Sequence, residues 1–231
     1  MVLTYATSAQ AALLVTESFT YSSGSLNGNS GGTGFSSAWG DNPAGVQTAS
    51  IGVNAVQVNP SGQAANNPAG ASVQFSYRGL SDPFGSSGVI WMALDEQAVM
   101  NDPGAFNFAT ISLFVGTFER FDVGKWLVPG TTADDTNWAM SRAGSTGVND
   151  VVVTSKSITT LKTAVVRFNL ALASNEGSVN LWVGSGVGPV DVSGAPDATL
   201  TGLNLTGVDT IRLGGGDGGS PPISFAIDNL K

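Results

Sequence analysis

Apolar residues in this chain recur mainly at every second position. Ile51 to Val58 (IGVNAVQV) and Val73 to Tyr77 (VQFSY) alternate as half-buried strands do. Val89 to Leu94 (VIWMAL) and Phe106 to Val115 (FNFATISLFV) are more continuously apolar, the pattern of central strands in a sandwich. Val151 to Val153, Thr163 to Leu172, Val179 to Val183, Thr210 to Leu213 and Ile223 to Leu230 complete the strand set. Helical spacing is confined to Leu94 to Met100 (LDEQAVM), a short helix that Pro103 would close. Gly/Ser/Asn/Pro clusters such as Ser22 to Gly34 and Gly214 to Pro222 read as the connecting loops. Neither a long repeat nor a linker interrupts the pattern, so residues 12–231 read as one all-β domain.

One hairpin can be registered from the pattern. With the turn at Ser174-Asn175, Val166 faces Val183, Phe168 faces Leu181 and Leu170 faces Val179, an apolar side that must enter the core. The other side then pairs Arg167 with Trp182 and Asn169 with Asn180. Indole faces stack on the C–H surfaces of sugars, and amide and guanidinium groups bond their hydroxyls. Arg167, Asn169, Asn180 and Trp182 are therefore the candidate carbohydrate-binding residues. The ordinary alternative is a solvent-facing cation–π pair. Trp91, inside VIWMAL, is expected in the core, whereas Trp39, Trp126 and Trp138 fit core or platform equally.

Composition removes several chemistries. The 231 residues include no Cys and no His, so disulfides, Cys/His zinc sites and His-based nucleophile systems are out. A net charge of −8 argues against a nucleic-acid surface, and no apolar run is long enough to span a membrane. The adjacent acids Asp95-Glu96 and Asp134-Asp135 lack the i, i+2 spacing that places two carboxylates on one face of a strand. Gly31 to Gly34 and Gly214 to Gly219 are not phosphate loops, since no Lys-Ser/Thr follows them. Ala9-Gln10-Ala11 has the small-x-small form of a signal-peptidase site, so residues 1–11 read either as a signal-peptide remnant or as an N-terminal strand extension.

Thr16 to Tyr21, Ser23 to Gly28, Gly31 to Phe35 and Trp39 at one end, with Thr210 to Gly214 and Phe225 to Lys231 at the other, form a recognisable set. This combination resembles secreted bacterial proteins with a concanavalin A-like (laminin-G-like) jelly-roll domain, many of which carry a PEP-CTERM sorting signal. The resemblance implies an antiparallel two-sheet jelly-roll β-sandwich whose first and last strands lie side by side, which would bring Glu17 near Asp228. Related jelly-roll proteins often hold a structural calcium there, so Glu17 and Asp228 are the expected metal ligands, with carbonyls or waters completing the shell. Hydrolases of this fold carry an E-x-D-x-E strand, from which Leu94-Asp95-Glu96-Gln97 departs.

The function expected from these readings is not enzymatic. It is a secreted β-sandwich, extracellular or at the cell surface, that binds or organises extracellular polysaccharide. The alternative is a structural subunit of an extracellular matrix, filament or particle surface. Such a subunit would associate with copies of itself through strand edges.

Overall fold

The computed structural model describes residues 15–40, 56–59, 61–65, 73–99, 107–126, 136–142, 151–171, 176–217 and 224–231. The described residues form the strands β1 (Gly24–Ser25), β2 (Gln57–Val58), β3 (Ala64–Ala65), β4 (Gln74–Gly79), β5 (Gly88–Val99), β6 (Asn107–Val115), β7 (Phe118–Lys125), β8 (Asn137–Arg142), β9 (Val151–Ser157), β10 (Lys162–Leu170), β11 (Gly177–Val183), β12 (Ala198–Leu203), β13 (Thr210–Asp217) and β14 (Ser224–Asp228). They form an eight-stranded sheet, in the order β1-β2-β3-β14-β5-β10-β11-β12, and a six-stranded sheet, in the order β4-β13-β6-β7-β8-β9. The two antiparallel sheets pack as a jelly-roll sandwich. Among the described residues there is no helix, and so none long and apolar enough to cross a membrane.

The core lies between the sheets. Leu94, Val166, Phe168 and Leu181 enter it from the eight-stranded side, and Ile111, Leu113, Phe121 and Leu213 from the six-stranded side. Phe121 meets Phe168 edge-on at 5.4 Å, tying β7 to β10. Each such side chain contributes about 1.5–3 kcal/mol by leaving water, and this alternate burial fixes which face of each strand is inward. The first and last segments lie side by side as expected: the Glu17 N–H donates to the Leu230 carbonyl at 2.8 Å.

The structure corrects several sequence expectations. Leu94 to Val99 is strand, not helix, because β5 pairs with β10 over residues 88–96 and with β14 over residues 95–99. Ladders on both edges outweigh a weak local helix preference. The hairpin keeps its predicted faces but slips by two residues: Ala164 opposes Val183, Val166 opposes Leu181 and Arg167 opposes Asn180. A slip of two preserves the side-chain period, so the apolar side alone could not distinguish the registers. Residues 1–11, Asp134 and Asp135 lie outside the described residues.

Gly214 and Gly215, expected in a loop, are central to β13. A β-carbon on Gly214 would collide with the Phe75 ring, and one on Gly215 would sit 2.5 Å from the Phe225 ring. The glycines therefore admit aromatic rings on both faces of the sheet. Gly214→Ala should destabilise the fold by about 1–3 kcal/mol through overpacking. A denaturant midpoint equal to wild type would show that Phe75 can move aside.

Glu96 is fully buried in the core, and neither carboxyl oxygen has a hydrogen-bond partner. Its carboxyl crosses to β7, where a β-carbon on Gly124 (φ +131°) would lie 2.8 Å from Oε1. Burial pushes the Glu96 pKa well above the usual carboxylate range. The unfolded chain therefore releases a proton that the folded chain keeps, and stability falls as pH rises from the ordinary carboxylate range through the raised value. Glu96→Gln should accordingly melt higher than wild type at pH 8, with the gap narrowing towards pH 4. Parallel melting curves across that range would contradict this.

Candidate active site

The outward face of the six-stranded sheet carries a cluster that begins on β7. Along β6 and β7, Leu113 opposes Phe121 but the next β6 residue, Phe114, opposes Glu119. Arg120 is thus the extra residue of a β-bulge. Because Ser112 and Phe114 share a face of β6, their partners Asp122 and Glu119 share a face of β7, three residues apart. The bulge creates a paired-acid arrangement that regular strand spacing would not give.

From β4 to β8, cross-strand register aligns Tyr77, Arg212, Ser112, Asp122 and Ser141 in one row. The Ser141 hydroxyl donates to Asp122 Oδ2 at 2.9 Å and the Ser112 hydroxyl to Oδ1. Arg212 Nη2 donates to Ser112 Oγ at 2.7 Å, lies 3.6 Å from Asp122 Oδ1 and forms an ion pair with Glu119. The Arg212 guanidinium is itself flanked by rings, 4.4 Å from the Phe75 centroid and 5.0 Å from that of Phe114. Phe108, stacked on Phe75, and Trp126 extend the aromatic surround.

Electrostatics divides the roles of the two acids. Burial, then the neighbouring Glu119 charge, drives the Asp122 pKa well above the ordinary carboxylate range, with Arg212 opposing. Asp122 shares its face of β7 with Glu119, and Arg212 lies against both. The Glu119 side chain is 22% exposed against 1% for Asp122, so Glu119 is the member that can meet a ligand. At the end of the row the buried Tyr77 hydroxyl has no hydrogen-bond partner, and burial raises its pKa despite the nearby Arg212 charge. The cluster can therefore hold and pass protons at the edge of an aromatic-lined face.

Sequence reasoning missed this site because FERFDVGK mixes charges with apolar residues and the bulge breaks its alternation. The usable signal was Phe121 and Val123 at strand spacing, with Glu119 and Asp122 three residues apart.

The residues singled out in the sequence fare differently. Arg167 and Asn180 are directly opposed on the outward face of the eight-stranded sheet, and Asn169 lies opposite Ser178. Trp182 is not the exposed partner of Arg167. It opposes Val165, is 6% exposed, and its indole N–H donates to the Gly194 carbonyl. That place belongs to Trp91, which is 42% exposed and not in the core. Trp39 and Trp138 are core residues.

Glu17 and Asp228, the expected calcium ligands, have different surroundings. Glu17 is buried, and its oxygens accept from the Phe19 N–H (2.9 Å), Tyr21 hydroxyl (2.8 Å), Trp39 indole (3.0 Å) and Arg78 Nη1 (2.6 Å). A cation there would have to displace a guanidinium and three further donors. Asp228 instead opposes Asp95 across β14 and β5. No group of three or more acids placed to hold a metal occurs among the described residues.

A cavity of about 480 Å³ opens beside Trp91, Lys231 and Asp82, but its walls, including Phe84, Ile90, Met92 and Phe168, are mainly apolar.

No protein-family model and no curated protein sequence matches the chain. Solved structures do. An endo-1,3-β-glucanase from Streptomyces sioyaensis is similar over 96% of this chain and 98% of its own, at 12% identity and a TM-score of 0.52. An alginate lyase from a Corynebacterium species matches 80% of this chain and 81% of its own, at 12% identity and a TM-score of 0.46. A structure described as HCR/D-Sa-GBL1/C matches 77% of this chain, which spans 41% of that one, at 11% identity and a TM-score of 0.48. The expectation of a non-enzymatic binding or structural protein is corrected by the glucanase, an enzyme with this fold over nearly the full chain. Glu119 and Asp122 on β7 were not among the acids singled out in the sequence. What the comparison establishes is the fold: this chain is a concanavalin A-like jelly-roll β-sandwich of the kind found in that glucanase.

Proposed function

We propose that this protein is a polysaccharide-cleaving enzyme whose reaction centre is the outward face of the six-stranded sheet around Glu119. The observation that carries the reading is the bulge in β7. It sets a partly exposed Glu119 and a buried Asp122, whose pKa burial raises, on one face, beside Arg212 and Tyr77. The glucanase likeness supports the class of substrate without assigning it.

Cleaving a glycosidic bond requires a proton for the departing oxygen and a base or nucleophile on the other side. The two carboxyls of a hydrolase normally stand roughly 5–5.5 or 6.5–9.5 Å apart. Glu119 and Asp122 share one face of β7 and both lie against Arg212, so they act together as one charged cluster. Glu119, the more exposed acid, touches the sugar, and Arg212 holds that carboxylate in place. The proton donor is the unpartnered Tyr77 hydroxyl at the far end of the same row, with Glu119 as the base. Arg212 offsets charge that builds on either.

The Tyr77–Arg212 pair also favours a second reading, elimination from an acidic polysaccharide, in which Arg212 neutralises the sugar carboxylate. One assay separates the outcomes on laminarin, agarose and alginate. Hydrolysis gives new reducing ends only, and elimination gives reducing ends together with an ultraviolet-absorbing unsaturated end. Polymer left intact across a broad panel of neutral and acidic glycans would overturn the proposal.

A further inference from the structure

The opposite face of the molecule carries a second ordered polar surface. Register places Trp91 of β5, Arg167 of β10, Asn180 of β11 and Thr199 of β12 directly side by side. A parallel row holds Val89, Asn169, Ser178 and Thr201. Each row crosses three strand spacings, about 14 Å in all. Within the rows, Thr199 Oγ1 donates to Asn180 Oδ1 at 3.0 Å, and Asn169 Nδ2 donates to Ser178 Oγ at 3.0 Å. The guanidinium of Arg167 lies 5.5 Å from the Trp91 ring centroid.

At one end Trp91 and Val89 are 42% and 48% exposed, an apolar step at the head of a polar track. Trp91 is backed by Trp182, 5.9 Å away and tilted 32°, which is itself pinned by its bond to Gly194. An exposed indole held rigidly by a buried one loses little freedom when a ligand stacks on it.

We infer that this face is a second binding surface for a polysaccharide chain, distinct from the reaction centre and on the other sheet. A sugar ring stacks on Trp91, and the next units along the chain meet Arg167, Asn180 and Thr199. The chemistry of the rows selects the ligand. They hold guanidinium, amide and hydroxyl groups but no carboxylate, which suits a neutral, hydroxyl-rich polymer. A nucleic acid would need far more cations than one Arg on a chain of net charge −8. A protein interface would be expected to centre on a more apolar patch. The inference rests on the proposed glycan-cleaving activity for its substrate class. Its role there is to hold a long chain on the enzyme while the other sheet works.

The test measures binding and cleavage separately. Glu119→Gln protein is run by affinity electrophoresis in gels containing laminarin or agarose, alone and combined with Trp91→Ala, Arg167→Ala or Asn180→Ala. Each second substitution should weaken retention, Trp91→Ala by about tenfold in Kd. In the active background, Trp91→Ala should slow turnover of polymer but leave a short oligosaccharide unaffected. Retention unchanged by all three substitutions would overturn the inference even if the enzyme cleaves glycan. Retention lost on Trp91→Ala in a protein that cleaves nothing would sink only the catalytic proposal. Because Trp91 is largely exposed, the melting temperature of Trp91→Ala checks that loss of retention is not loss of fold.

Discussion

Glu119→Gln lowers kcat for glycan cleavage by about 10²–10⁴ with little change in KM, the scale of a lost general acid–base group. The substitution preserves shape and still lets Arg212 donate to the side chain, so the fold should survive. Asp122→Asn separates proton supply from positioning. Asparagine keeps the shape and one acceptor oxygen for a Ser112 or Ser141 hydroxyl but cannot titrate. If Asp122 contributes its proton, wild-type activity falls as pH rises through its raised pKa, and in Asp122→Asn that alkaline limb shifts or vanishes. An unchanged pH profile with unchanged kcat would reduce Asp122 to a structural residue. An unchanged kcat in Glu119→Gln would remove the site altogether.

Glu17→Ala or Arg78→Met lowers stability by about 3–5 kcal/mol, the cost of stranding one member of a buried ion pair. At this chain length that corresponds to roughly 6–20 °C in melting temperature. The pair is almost fully buried, and every nitrogen of the Arg78 guanidinium has a partner: Nη1 donates to Glu17, Nε to the Ser37 carbonyl at 2.8 Å and Nη2 to the Gly31 carbonyl at 2.7 Å. Phe35 covers it at 3.8 Å. This contact helps fasten the N-terminal segment, residues 16–39, onto β4, together with the Asn27–Ser76 and Ser36–Gly79 bonds. Phe19, at φ 50°, is held in the left-handed region by the bond from its N–H to Glu17. The double substitution Glu17→Met/Arg78→Met should recover much of the loss, since neither charge is then stranded. Chelating calcium should leave the melting temperature unchanged, because the Glu17 oxygens are already in use. A chelator-induced drop would show that a metal shares the site.

The strand pattern was largely legible because alternate burial writes itself into sequence at a period of two. What alternation cannot carry is the third dimension. In VIWMAL both faces are apolar, so nothing told Trp91, which faces out, from Met92, which faces in. The β10–β11 hairpin kept its faces under a two-residue slip for the same reason. Long-range partners were invisible too: Glu17 looks like an exposed acid until Trp39 and Arg78, 22 and 61 residues later, close on it. The site itself was hidden by one inserted residue. Searching for acids at i, i+2 could not find Glu119 and Asp122, which only the Arg120 bulge brings to one face.

The most direct test of the central claim is a crystal structure of Glu119→Gln protein soaked with an oligosaccharide from a polysaccharide that the wild type cleaves. A sugar ring lying across the six-stranded sheet, in contact with position 119 and within reach of Tyr77, is the predicted result. An oligosaccharide bound only on the Trp91–Arg167 face, with β7 untouched under saturating ligand, would contradict it.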